Sequence, residues 1–251
     1  SYRWLLDKKK YKRQNSIFLG QEIYTPSDIE ETDISKFDRP YASFLGLNFQ
    51  HTVTGKDWIF DFIYSFGITG EYSGGEWLQN LFHSAAATDS RIATWEGQIN
   101  NNFTNNCYFN YFKEWKLSPN PFSIYFAINP SAAIGIKDVY IQNDFAFYFG
   151  KRNSILNTSA YNQLGVLQNE LFFCFRAGYR YVAHNTMLEG NLIGDSSVFL
   201  VEAFHNLILI NAEIYFRRGR TDIKLFYNYS SSETSITENH LNMTLSLARN
   251  F

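Results

Sequence analysis

Long apolar runs are missing from this 251-residue chain: no stretch approaches the roughly 18 consecutive apolar residues that a membrane-spanning helix needs, which excludes helical insertion. Charge of one sign is missing too. A net charge of -2 and a sequence pI near 6.2 give no sign of a nucleic-acid partner. Cysteine is scarce. Cys107 and Cys174 sit in separate aromatic runs without metal-ligand spacing and read as unpaired wall residues rather than a disulfide or a zinc site. The chain opens on Ser1 with neither methionine nor an apolar leader, so a processed or truncated N-terminus is expected.

Aromatic residues are what the chain has in excess, with 24 Phe and 17 Tyr, yet mean hydropathy is -0.28. Many large rings balanced by many polar groups suit a wall that turns one side chain in two toward lipid and the next toward a polar lumen. Period-two alternation carries the same message. Trp58, Phe60, Phe62, Tyr64 and Phe66 share one face against Ile59, Asp61, Ile63 and Ser65, and Leu241, Met243, Leu245, Leu247 and Phe251 alternate with Asn242, Thr244, Ser246, Ala248 and Asn250. Arg249 departs from that pattern and is expected to snorkel to an interface. Since lipid leaves no open sheet edge satisfied, the fold class is all-β: one antiparallel transmembrane β-barrel domain over residues 1–251, placed in a bacterial outer membrane.

Turn signals divide the chain into eleven strands near 1–7, 14–24, 41–53, 57–70, 98–117, 121–132, 138–150, 170–184, 196–217, 220–231 and 239–251. Barrels of this kind have even strand numbers, so about twelve are expected, with one preceding Ser1. The connections near 54–56, 118–121 and 217–220 are short and periplasmic in character, whereas 25–40, 71–97 and 185–195 are long and outward. The segment 151–169 falls on the short side by count but is long, so it either folds on itself or marks a slip in the count. The basic cluster of Lys8, Lys9, Lys10, Lys12 and Arg13 reads as a solvated turn. Within the longest outer loop, Trp77, Leu78, Leu81 and Phe82 recur at helical spacing and predict a short amphipathic helix lying against the barrel rim.

Four of the five histidines, His51, His184, His205 and His240, fall in or beside strands. His83 closes the predicted helix, where an imidazole is held rigidly and stays open to solvent, as a general base requires; a histidine favoured by the helix dipole is the alternative.

Leu19-Gly20-Gln21-Glu22-Ile23-Tyr24-Thr25-Pro26-Ser27-Asp28 followed by Asp38-Arg39-Pro40-Tyr41-Ala42 resembles the signature of the lipid A 3-O-deacylase family of outer-membrane enzymes. Gln79 four residues before His83, then Trp95-Glu96-Gly97-Gln98-Ile99, then Gly178-Tyr179-Arg180-Tyr181-Val182 leading to Asn185 and Leu188-Glu189-Gly190-Asn191, keep the family's order. The resemblance implies a twelve-stranded barrel that removes the 3-O-linked acyl chain from lipid A of lipopolysaccharide in the outer leaflet, using a calcium ion and a histidine that activates water. The family's catalytic histidine carries over onto His83. Its glutamate has no identical match, and Asp89 is the acid in that interval. Its Asn-Asp pair and a Ser or Thr fall upstream of this chain; Asn15-Ser16 is a superficial candidate placed in the wrong strand. Ser43-Phe44 stand where the family prefers Gly-Trp. Two further readings are a catalytically inactive barrel that serves as a structural or partner-binding component of an outer-membrane complex, and a porin, which a narrow twelve-strand lumen disfavours.

Overall fold

A computed structural model describes residues 11–86, 93–118, 123–163 and 167–249. Ten strands are present among them: β1 (Lys12–Tyr24), β2 (Ala42–Thr54), β3 (Trp58–Thr69), β4 (Phe103–Ser118), β5 (Ser123–Gly135), β6 (Asp138–Lys151), β7 (Glu170–Asn185), β8 (Asn206–Arg218), β9 (Thr221–Ser230) and β10 (His240–Arg249). Each pairs antiparallel with the next in one curled sheet of order β1 to β10. These correspond to ten of the eleven strands read from the sequence; the first, 1–7, and the terminal Phe251 lie outside the described residues. Two readings need correction. Residues 196–205 are loop rather than the start of β8, and Lys12 and Arg13 open β1 instead of forming a turn.

Alternation sorts the side chains as expected. Ile17, Leu19, Leu47, Phe49, Phe147, Phe173 and Leu245 point outward and exposed, while Asp61, Ser65, Asp144, Glu213 and Lys224 on the opposite faces are buried. Ladder bonds join each strand to the next, and many of the inward polar groups bond one another. Gln50 and Thr52 donate to Asp61, Gln142 donates to Asp144, and Arg176 Nε lies 3.0 Å from Glu213 Oε1. They line a lumen cavity of about 630 Å³. At the short-turn rim the last outward positions of β6, β8 and β10 are Lys151, Arg218 and Arg249, each two residues beyond an outward apolar side chain. Long basic stems there reach past the apolar band to water.

The anomalous segment after β6 folds into the lumen. Residues 152–163 cross beneath the cavity, with Ile155, Thr158, Ser159 and Gln163 all almost fully buried. Glu170 at the foot of β7 accepts from the amides of Asn153 and Ser159, both at 2.7 Å. Gln163 Nε2 reaches Thr54 Oγ1 on β2 at 3.2 Å, and Arg217 Nη1 donates to the Asn157 carbonyl. Arg152 is the centre of this plug. Its guanidinium pairs with Glu114 at 2.5 Å and lies 4.3 Å from the Tyr148 ring centroid and 4.5 Å from that of Tyr125. The count therefore does not slip: this connection is long because it fills the short-turn end.

Replacing Arg152 by leucine strands the Glu114 carboxylate in the lumen, at a cost of about 3–5 kcal/mol. The unfolding midpoint of the detergent-solubilised barrel should fall, and adding Glu114→Gln to Arg152→Leu should restore part of the loss.

Candidate active site

The long-loop rim is capped by three connections that share one core. Asp38 closes the loop after β1 by accepting from the Ser27 amide at 2.9 Å and its hydroxyl at 2.5 Å. Pro40 then leads into Tyr41, which is fully buried, donates its hydroxyl to the Ile29 carbonyl at 2.9 Å, and lies 5.1 Å from the Trp95 ring. Phe37, Ala93, Tyr41 and Trp95 form the cluster, joined by Ile34 and by Phe199 from the loop after β7. Arg39 stacks over Tyr24 at 4.5 Å and reaches Glu233, in the β9–β10 loop, at 3.5 Å. The Asp-Arg-Pro-Tyr stretch thus ties the β1–β2 loop to its neighbours.

Helix α1 (Gly75–Ala86) occupies the loop after β3, as the spacing predicts. Gly70 and Gly74, with φ of +77° and +74°, turn the chain where side chains are disfavoured. Gly75 passes so close to Ser43 that a Cβ would collide with it. Ser43 is itself a hub: its hydroxyl lies 2.5 Å from Ser73 Oγ and accepts from Gln98 Nε2 at 3.3 Å. That gives Ser43 a role in seating α1. Glu76 in the first turn and His83 in the last both suit the helix dipole.

One hydrogen bond sets the rotation of α1. Trp95 Nε1 donates to Gln79 Oε1 at 2.9 Å, from a backbone held at φ 55°. A tryptophan in the left-handed region costs conformational energy, which the surrounding cluster has to hold. Gln79 precedes His83 by one turn, so the two share a face. His83 is half-buried there, and Asp89 lies outside the described residues. His51 pairs with Asn15 at 2.7 Å, His184 with Glu189 and His205 with the Val182 carbonyl, while His240 Nε2 lies 3.8 Å from Glu233. Asn15 is near the short-turn end of β1, remote from this rim, as its strand position implied.

The last motif also builds scaffold. Gly178 faces Asp144 with no space for a side chain. Asn185 caps α2 (Thr186–Glu189) by accepting from the Met187 amide at 3.0 Å. Glu189 accepts from the amides of Asn185 at 2.8 Å and Ala203 at 3.3 Å, with His184 Nδ1 3.3 Å away. Burial opposes its ionisation, but these bonds and His184 outweigh burial and hold its carboxyl below the usual range. Asp195 receives the amides of Asn191 and Ser197, and Ser196 receives Asn100 Nδ2 at 2.8 Å, which joins this loop to residues 93–102.

Sequence reasoning missed Lys137. It occupies the two-residue connection between β5 and β6, yet it is 5% exposed, with Nζ 2.9 Å from Asp138 and 3.0 Å from Glu22 across the lumen mouth. Burial lowers its pKa, but Asp138 and Glu22 more than offset this and hold the ammonium well above its ordinary value. A cavity of about 440 Å³ opens beside it, lined by Glu22, Tyr24, Phe44, Tyr108 and Met187. A lysine in a turn carries no sequence signal of burial.

Calcium takes six to eight oxygen ligands. Among the described residues no three His, Cys, Asp or Glu side chains are grouped to hold a metal ion, and Gln79 Oε1 is engaged by Trp95. Among the described residues, a calcium shell would have to draw mainly on backbone carbonyls and side-chain amides.

A family model described as "Outer membrane protein LpxR" matches residues 2–250. Among solved structures, LpxR from Salmonella typhimurium superposes with a TM-score of 0.80 at 16% identity, covering 95% of this chain and 84% of that one; at this identity the likeness speaks for the fold alone. No curated protein sequence matches the chain.

Two outcomes are expected. Trp95→Phe removes the donor to Gln79, and at about 1–2 kcal/mol it should speed deuterium exchange across 75–86 roughly tenfold while the strands stay protected. Because the Glu189 carboxyl is depressed in the fold, its contribution is complete above the unfolded value of about 4.3 and is lost as pH falls through the lower folded value. Protection of 185–190, corrected for intrinsic exchange, should therefore hold from neutral pH to about 5 and decline below about 4, and Glu189→Gln should flatten that profile.

Proposed function

Because the chain belongs to the LpxR family of outer-membrane proteins, we propose that it is a calcium-dependent hydrolase that removes the 3-O-linked acyl chain from lipid A, with His83 as general base and Asp89 as the acid that orients it. The observation that supports this reading most is the convergence at the long-loop rim. Stretches distant in sequence, Asp38–Ser43, Gln79–His83 and Trp95–Ile99, pack together and hold one face of a rigid helix that carries a half-buried imidazole. With short turns at the periplasmic rim, this end meets the outer leaflet, where lipopolysaccharide lies.

The chemistry asked of His83 is modest. Its neutral imidazole takes a proton from water as that water attacks the ester carbonyl carbon; the tetrahedral oxyanion collapses with loss of the sugar 3-hydroxyl, which regains a proton, and a free fatty acid leaves. Calcium, which the family resemblance implies, supplies positive charge for the oxyanion when bound.

Protein in outer membranes or lipopolysaccharide micelles with calcium should convert lipid A to a species lighter by one acyl chain in mass spectra, and chelation should stop the conversion. His83→Ala should lower the rate by about 10²–10⁴-fold, and Asp89→Asn by less. Lipid A unchanged by the full-length protein in calcium sinks the hydrolase reading and favours a structural or partner-binding barrel. Full activity of the His83→Ala protein sinks only the residue assignment.

A further inference from the structure

Helix α1 is turned the wrong way for a helix resting on a protein. A surface helix of a globular protein buries its apolar stripe and shows water its polar face. Here the face carrying Gln79 is turned inward, since Gln79 is bonded to Trp95, a residue of the cap core that is itself 6% exposed. The stripe of Trp77, Leu78, Leu81 and Phe82 looks away from the protein, with Trp77 and Phe82 each 68% exposed and Leu81 48%. Tyr72, just before the helix, is 73% exposed. Rotating α1 to bury the stripe would break the Gln79 bond and undo the close seat of Gly75 against Ser43.

We propose that α1 lies in the plane of the outer leaflet with Trp77, Leu78, Leu81 and Phe82 among the acyl chains, its Gln79 and His83 face toward the barrel cap. Continuity with the lipid-facing wall carries the assignment. The helix touches the outer ends of β1 and β2, whose outward faces present Ile17, Leu19, Leu47 and Phe49, all exposed. At the same rim, Phe66 and Phe103 stack at 6.3 Å near the ends of β3 and β4, both exposed, in the place of an interfacial aromatic girdle. Charge points to the hydrocarbon boundary rather than the headgroups as the partner: α1 holds no lysine or arginine and one acid, Glu76, so it offers nothing to anionic phosphates. A polar imidazole one face away from an acyl-embedded stripe sits at the water–hydrocarbon boundary. This placement does not depend on the hydrolase reading.

The test reads Trp77 directly. The full chain is reconstituted in phosphatidylcholine vesicles whose acyl chains carry bromine, and the emission of the Trp77→Phe protein is subtracted from that of the natural protein, which removes the signals of Trp4, Trp58, Trp95 and Trp115. The Trp77 difference spectrum should be blue-shifted, should lose most of its intensity to brominated chains, and should be insensitive to acrylamide in the aqueous phase. Leu81→Glu should reverse all three, with the strand exchange pattern unchanged to show that the barrel still folds. A Trp77 signal that acrylamide quenches, or that brominated chains leave intact, overturns the proposal, whether water, a second copy or another protein is then what meets the helix.

Discussion

In hydrocarbon every backbone N–H and C=O has to find its partner within the chain, and the rest of this structure follows from that constraint. It forces successive strands into a continuous antiparallel ladder from β1 to β10. It also forces the sheet to curl, so that one face meets lipid and the other encloses polar groups. Once enclosed, those groups face the same demand. Arg176 with Glu213, Gln142 with Asp144 and Arg152 with Glu114 are the lumen's answer, and the segment after β6 turns inward because it brings a cation to Glu114 and backbone donors to Glu170.

The cap at the other rim is held differently. Strand ladders stop there, and three loops have to hold one another through a small aromatic core and side-chain hydrogen bonds. Trp95 joins the two devices: its ring packs on Tyr41 while its N–H fixes Gln79, and its left-handed backbone is tolerated because both contacts hold it. The rotation of α1, and with it the face that carries His83, follows from that single residue.

Several stretches that look functional in sequence turn out to be the means of holding this cap. Asn185 and Glu189 close a turn, Gly190 leaves room for Asp195, and Asp38 ties back Ser27. Short motifs of polar residues do not say which member touches a substrate and which only holds a loop. Ser43 makes the same point in reverse, since a residue that looks like a packing change bonds to Gly70 and Ser73 just before α1 and accepts from Gln98.

Alternating apolar and polar residues determined the strands, because a pleated backbone sends neighbours to opposite faces whatever else the chain does. Apolar spacing determined α1 for the same local reason. What lies inside the curled sheet was beyond such patterns. The plug, the burial of Lys137 between Glu22 and Asp138, and the inward turn of Gln79 all depend on groups far apart in sequence meeting across the lumen or the cap. Periodicity records which side a residue faces; only the curled arrangement of strands decides what it finds there.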